Sequence, residues 1–392
     1  MAPSSRAQPM HERRHELAQL VAKDLSSSSS SSSLSSLLLA AYSSAAAASD
    51  ASDATSASWA LYTSSSSDSS VDSVQSAFIL SSLQLASLLP PSEALQAMRH
   101  LDMALMLNAP YELLEDILHK VEPLAQALHK NSLAPCPPWF QATTSSTTSS
   151  SYPPLLTPSA PPPQASFKKE YYNPGKPLLL PEHALDWPAV QRWSNLAYLD
   201  AALGHRTVPL EMGTFPATFR EETLRFGEFA RNHLAVEQST SSPAYLAQHA
   251  LLEQVPALAD DVGTPPYVDE LSSEETRVLC WIGTAHTVTP LHYDSYDTMF
   301  VQVVGTKRFT LFDKTETPRL YRTRRESTRA NASTTNFSAV DVDAPDLDKY
   351  PLFAEASGVT VTLEPGDVLY IPSNVWHHVR ALTPSASISF AF

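Results

Sequence analysis

The 392-residue sequence predicts an all-β core with flanking helices, preceded by an α-helical segment and a disordered serine-rich tail. Three observations carry that expectation. From Arg277 onward, short apolar or alternating runs recur between turn signals. Residues 76–132 carry apolar residues at helical spacing, and serine and alanine dominate residues 26–73.

Ser26 to Ser33 is an unbroken serine run, and such polar sequence buries too little apolar surface to offset its ordering entropy. Residues 1–75 are therefore expected to be a disordered tether. The first residues mix Arg13, Arg14 and Lys23 with Glu12, Glu16 and Asp24 and contain no apolar stretch of secretory type. Leu37 to Ala41 is far too short to span a bilayer, so no membrane segment is expected. In the helical region, residues 76–132, Leu95, Met98, Leu101 and Leu105 recur on one helix, which Asn108-Ala109-Pro110 ends. A second helix places Leu113, Leu114, Ile117, Val121, Leu124 and Leu128 along one face, and such stripes normally meet a core. Serine, threonine and proline mark residues 133–166 as a linker of some extended stiffness. Residues 167–392 form the remaining domain. Within it, Trp187 and Trp193 read as core anchors. Residues 221–235 and 244–258 read as helices, the second started by Pro243. Strands follow over Arg277 to Gly283, Met299 to Val304, Arg308 to Phe312 and Val359 to Leu363. Glu364-Pro365-Gly366-Asp367 has proline and glycine where a type II turn needs them, with Val368 to Pro372 as the returning strand.

The formal net charge of -15 argues against wholesale binding to a nucleic-acid backbone, and a basic peptide would meet such a surface favourably. Arg319, Arg322, Arg324, Arg325 and Arg329 cluster against that trend and read as a solvated loop. Two cysteines, Cys136 and Cys280, supply neither a disulfide framework nor a zinc site and suit a reducing compartment.

The chemistry centres on Thr289-Pro290-Leu291-His292-Tyr293-Asp294 and on Trp376-His377-His378-Val379. In extended chain, residues i and i+2 point the same way, so His292 and Asp294 share a face. A distant third ligand closes a metal site, and His377 is the candidate. Two imidazoles and one carboxylate on one side of an octahedral ion form a facial triad that leaves positions open for non-haem Fe(II) oxygen chemistry. Strand alternation turns His378 the opposite way.

The string Leu363 to Pro372 followed by Trp376-His377 resembles the second ligand region of Jumonji C (JmjC) oxygenases, which have a double-stranded β-helix, or cupin, fold. Arg206 to Gly213, Tyr245 to His249, Val340 to Asp343 and Trp376 to Leu382 resemble the JmjC domain-containing protein 5 group, also called lysine demethylase 8. The likeness runs from about Tyr171 to the last residue. It implies Fe(II) held by His292, Asp294 and His377, with 2-oxoglutarate as cosubstrate and molecular oxygen as co-reactant. Lys307 matches the position that binds the far carboxylate, for which an ammonium is a strong charge-assisted donor. Tyr245 and Thr289 match hydroxyl donors to the cosubstrate, Trp281 a residue lining its pocket, and Thr298 a position where relatives carry asparagine. Glu211 matches a position that receives a substrate guanidinium, a natural bidentate pairing. Ala391 departs from the tryptophan that helps enclose substrate. The resemblance implies a protein or peptide substrate, hydroxylated at the C3 carbon of arginine or demethylated at N-methyl-lysine of histones. It also implies a monomer, because no helices follow the final strand, and a nuclear or cytoplasmic setting. A catalytically silent cupin acting as a binding module is the alternative of another class.

Overall fold

A computed structural model describes residues 82, 86, 91–107, 109, 111–129, 152–158, 160–214, 218–236, 243–272, 276–326 and 333–392. The serine-rich tail, Cys136 and Arg329 lie outside them. Two compact units are present. One takes in the helical region together with 205–207, and the other holds the rest of the described chain.

In the first unit, α1 (Ala94–Met106) and α2 (Tyr111–Leu128) form a hairpin. Met98, Leu101 and Ala104 meet Leu114, Ile117, Leu118, Val121 and Ala125 in its core. Leu124 and Leu128, expected on the same stripe, are instead exposed. The buried face follows 114, 117, 118, 121 and 125, and Ala125 takes the core position because a methyl allows the helices to approach. Arg206, buried in this unit, donates through Nε and Nη2 to Asp102 at 2.9 and 2.7 Å and through Nη1 to Glu122 at 2.8 Å.

The second unit is built from two antiparallel sheets. The larger has the order β1 (Leu178–Leu180), β12 (Val368–Ile371), β7 (Thr298–Val304), β14 (Ser385–Ala391), β5 (Arg277–Gly283), β4 (Ala244–His249), β2 (Thr207–Met212) and β3 (Arg220–Arg225). The smaller has the order β11 (Gly358–Leu363), β8 (Lys307–Phe312), β13 (Trp376–Ala381), β6 (Val288–His292), β10 (Ser333–Ser338) and β9 (Arg322–Glu326). Successive strands change sheet at every step from β5 to β8 and again at every step from β11 to β14. That alternation is the double-stranded β-helix expected.

Short turns make the changes possible. Gly366 sits at φ 95°, and the Asp367 N–H donates to the Glu364 carbonyl at 3.0 Å, as a type II turn requires. The Asp367 carboxylate accepts from the N–H groups of Glu182 and Glu364, fixing the turn to the segment after β1. Between the sheets, Phe300, Phe309, Leu311, Val361, Leu363, Leu369, Ile371 and Val379 form one core. A larger core lies behind the eight-stranded sheet, where Leu196–Leu203 (α3) and short helical turns cover it. Both tryptophans are core anchors there, and the Trp193 indole also donates to the buried Asp261 carboxylate at 2.9 Å.

Two further sequence expectations fail, both before β5. Residues 244–258 begin with β4, and helical turns follow only at Leu251–Gln254 and Pro256–Asp261. Ala244 to Ala247 are all buried, and a short, fully buried apolar run reads alike for a helix and for a central strand. Pairing with β2 and β5 decides the matter, and the Pro243 carbonyl accepts from Gly213 instead of starting a helix. Likewise, Arg220–Arg225 is β3, an edge strand that needs little apolar surface, and helix begins only at Phe226. The linker also departs from a free spacer. Pro154 bridges Thr360 in parallel, the Thr360 N–H donates to Pro153, and Leu155 packs on the inter-sheet core.

Gly305 holds the turn between β7 and β8 at φ 69°, and an added Cβ would stand 1.9 Å from the Pro384 carbonyl oxygen. Gly305→Ala is expected to destabilise the second unit by more than about 2 kcal/mol, read from urea unfolding midpoints at constant slope.

Candidate metal centre and adjoining cation pocket

The smaller sheet brings the three predicted ligands together. His292 ends β6 and pairs directly with His377 of β13, whereas Thr289 pairs with Val379. One residue lies between the partners on β13 but two on β6, so β6 carries a bulge. Thr289 and His292 thereby face the inter-sheet space together. Pro290 lies within this bulge, one of the few sheet positions where a residue without an N–H fits.

Both imidazoles are oriented by the backbone. His292 Nδ1 lies 2.9 Å from the Pro290 carbonyl, and His377 Nδ1 lies 3.0 Å from the Val375 carbonyl. A carbonyl only accepts, so each Nδ1 carries the proton and each Nε2 presents a lone pair. The two Nε2 atoms stand 3.8 and 3.7 Å from Asp294 Oδ2. One donor atom from each of the three residues lies within 4.8 Å of the others. Burial first, and then the neighbouring His377, hold His292 down to about 4, which keeps it in the neutral, ligating form. The His292 contact with Asp294 is accordingly part of a preformed donor set and not a charged pair.

Asp294 lies past the end of β6, on a segment braced from several sides. The Asn374 N–H donates to the Asp294 carbonyl at 2.7 Å, and Asn336 Nδ2 donates to the Tyr293 carbonyl at 2.6 Å. Asp297 exchanges backbone hydrogen bonds with Phe392 and accepts from the Tyr370 hydroxyl. Phe337 stacks on the His292 ring with centroids 5.4 Å apart. His378 faces away, with Nε2 at 3.4 Å from Asp343 Oδ2. Burial holds His378 down to about 4, so it meets Asp343 as a neutral ring, while Arg380 and Arg308 supply the charge opposite that carboxylate.

Lys307 opens β8 on the same face as Phe309 and Leu311 and is 1% exposed. Its Nζ donates to the Tyr245 hydroxyl at 3.2 Å and lies 5.2 and 5.4 Å from the ring centres of Tyr245 and Phe300. Burial pulls Lys307 down to about 7. Among the described residues, no carboxylate lies within salt-bridge range of it. The Thr289 side chain neighbours the Tyr245 hydroxyl, and the phenol is pushed up by burial and then by the charge of Glu211. Glu211 pairs across from Tyr245 on β2. The Trp281 indole donates to Ser389 Oγ at 2.9 Å, with its ring 5.9 Å from that of Tyr245. Thr289, Trp281 and Lys307 thus gather around Tyr245, with Glu211 opposite it on β2. Thr298 opens β7 on the face that carries Phe300, two residues from the lysine's aromatic neighbour, and pairs with Ile371 and Ala391.

The donor set fits a divalent ion of the iron type, since two neutral imidazoles and one carboxylate on a single side leave the opposite side open. A buried ammonium among aromatic rings fits a carboxylate end-group, which would supply the charge that the pocket lacks. Phe300, Phe337 and the braces on residues 293–297 escaped the sequence reading.

This combination is a cupin-type double-stranded β-helix carrying a two-histidine, one-carboxylate set that could hold a metal ion. Residues 163–392 match the cupin-like domain family, and the chain belongs to that family. Its JmjC relatives include lysine-specific demethylase JMJ30 of Arabidopsis thaliana, 36% identical over 226 residues that cover 57% of this chain and 51% of that protein. Lysine-specific demethylase 8 of Xenopus tropicalis is 36% identical over 228 residues, covering 57% and 49% of the two chains. Jumonji C domain-containing protein 5 of Drosophila melanogaster is 34% identical over 232 residues, covering 57% and 56%. The chain spans about half the length of the curated relatives it matches. No helix among the described residues is long and apolar enough to cross a membrane.

Co(II), a spectroscopic substitute for Fe(II), is expected to bind the protein, and His292→Ala or His377→Ala to weaken that binding by more than about 100-fold. His378→Ala, on the opposite face, is expected to change it by less than about threefold, both read by anaerobic absorbance titration.

Proposed function

We propose that this protein is an Fe(II)- and 2-oxoglutarate-dependent oxygenase that acts on a side chain of a protein or peptide. The observation that carries the proposal is the facial donor set of His292, Asp294 and His377 beside a buried, carboxylate-free Lys307. Iron(II) and 2-oxoglutarate, when bound, supply the activation of molecular oxygen for hydroxylating a substrate carbon. Around them the chain binds, orients and excludes water. The carbonyls of Pro290 and Val375 keep the imidazole lone pairs on the metal side, and Asp294 supplies the anionic ligand. Lys307, aided by the Tyr245 and Thr289 hydroxyls, holds the far carboxylate of 2-oxoglutarate. Phe300 and Trp281 keep that end of the pocket apolar. A silent binding module would have no need for a full donor set and a charged cosubstrate pocket together.

Two substrate classes fit the same chemistry. Glu211, at the pocket beside Tyr245, favours an arginine side chain hydroxylated at C3, for its carboxylate can accept a guanidinium in bidentate fashion. The names of the Arabidopsis and Xenopus relatives favour N-methyl-lysine, where a hydroxylated methyl group leaves as formaldehyde. Ala391 lacks the large ring expected to enclose substrate, which weakens the arginine case in particular. Product mass separates the two outcomes: a retained oxygen marks hydroxylation, and loss of a methylene unit marks demethylation.

The first test is anaerobic addition of Fe(II) and 2-oxoglutarate, which should produce a visible metal-to-ligand charge-transfer band that His292→Ala abolishes. Folded wild-type protein without the band would move the reading to the binding module.

The Lys307 pocket predicts a pH dependence. The protonated amine binds carboxylate, and the ligand-free amine titrates at about 7. Affinity for 2-oxoglutarate should therefore be level just below pH 7 and weaken as pH rises above it, by roughly tenfold per unit. Lys307→Met should bind more weakly and lose this slope, as measured by calorimetry with Co(II) in place of iron.

A further inference from the structure

The turn from β12 to β13, Pro372 to Val375, places left-handed backbone beside the candidate ligands. The Val375 N–H donates to the Pro372 carbonyl at 3.2 Å and closes the turn. Asn374, at its third position, has φ 64°, and of the two central residues it alone is positive. That is the pattern of a type II turn, which calls for glycine or asparagine at this place. Most side chains meet the backbone there, whereas the short amide of asparagine is tolerated.

Consecutive backbone groups of the turn reach the segments that carry the ligands. The Asn374 N–H donates to the Asp294 carbonyl at 2.7 Å, and the Val375 carbonyl accepts from His377 Nδ1 at 3.0 Å. The Ser373 N–H donates more weakly to Asp297 Oδ1, at 3.4 Å. Antiparallel pairing of His292 with His377 carries Asp294 past the end of the ladder, alongside this turn. Type I and type II turns differ mainly in the central peptide, which turns over by roughly half a revolution between them. That peptide ends in the Asn374 N–H. With type I backbone the N–H would point to the other side of the turn, and the Asp294 carbonyl would lose its donor. The Asn374 side chain, by contrast, is exposed, and among the described residues its amide bonds only the adjacent Ser373 Oγ, at 3.4 Å.

We propose that Asn374 is a positioning residue for the metal ligands, acting through its left-handed backbone and not through its side chain. The proposal rests on the metal-centre reading and deepens it. One turn holds two ligands at once: the Asn374 N–H ties down the segment carrying Asp294, and the carbonyl of the next residue sets the ring of His377. The third, His292, is oriented by Pro290 and joined to the other two through the pairing of β6 with β13. The conformation at Asn374 therefore sets the spacing between the carboxylate and the imidazoles, on which simultaneous binding of one ion by all three depends. Partners that orient ligating groups are worth roughly 10- to 100-fold in metal affinity.

Asn374→Gly and Asn374→Val separate backbone from side chain, with Co(II) affinity and ligand-field absorption measured without oxygen on the full chain. Glycine enters the left-handed region freely and a β-branched residue is excluded from it, while the exposed position has no buried contact to lose. Asn374→Gly should bind Co(II) within about threefold of the wild-type chain, with the same ligand-field bands. Asn374→Val should bind roughly 10- to 100-fold more weakly, with altered bands. If Asn374→Val folds poorly, Asn374→Ala, which opposes the same backbone less strongly, replaces it, with an expected loss of roughly three- to tenfold. Wild-type affinity and bands in the valine or alanine variant would overturn the proposal. So would a glycine variant as impaired as either, because the side chain would then be the active part. If the wild-type chain itself bound no Co(II), the metal-centre reading would fall and this proposal with it, so the two failures are distinguishable.

Discussion

The bulge at Pro290 is the constraint on which the site depends. It adds one residue to β6 opposite β13, and that residue turns Thr289 and His292 to the same side. Without it, strict alternation would place one of them on the outer face. The same proline frees its carbonyl to accept from His292 Nδ1, so a single backbone irregularity fixes both the direction and the tautomer of a ligand. His377 needs no such device, because it starts from a regular strand position and takes its orientation from the carbonyl of Val375. Metal centre and sheet register are in this sense one object.

Lys307 shows the opposite economy. A buried amine is disfavoured by its own burial, and the fold tolerates it by surrounding it with polarisable rings and one phenol. This arrangement leaves the pocket short of negative charge in a protein whose net charge is -15. An anion held there would be favoured by the protonated Lys307 amine and not by the overall field, which is unfavourable to anions.

Much of the β core was legible because its strands obey the simplest rules. Alternation placed His292 and Asp294 together and His377 opposite His378, while proline and glycine announced the turn at 364–367. The pairing of distant elements was harder to read. That His377 completes the set, and that Lys307 and Tyr245 meet, came from resemblance, since local sequence contains nothing about which strands become neighbours. β4 was misread for the same reason: its helix-forming alanines and leucine are overruled by partners on both sides. On α2, the expected stripe included Leu124 and Leu128 because periodicity counts apolar residues and does not register that Ala125 allows closer packing. The braces around Asp294 come from backbone groups of Asn374 and Phe392, which carry no sequence signature at all.

The edges of the smaller sheet have a further consequence. Any open strand edge is a template for pairing with another chain, and a site built on a sheet carries that hazard with it. On one side, the segment at Pro154 lies along β11, and its prolines bring acceptors without offering fresh N–H donors outward. On the other, β9 stands at the edge of the sheet as described, beyond β10. The proline-bearing segment, read from sequence as a linker, thus serves as a cover for one edge of the sheet that carries the candidate metal ligands.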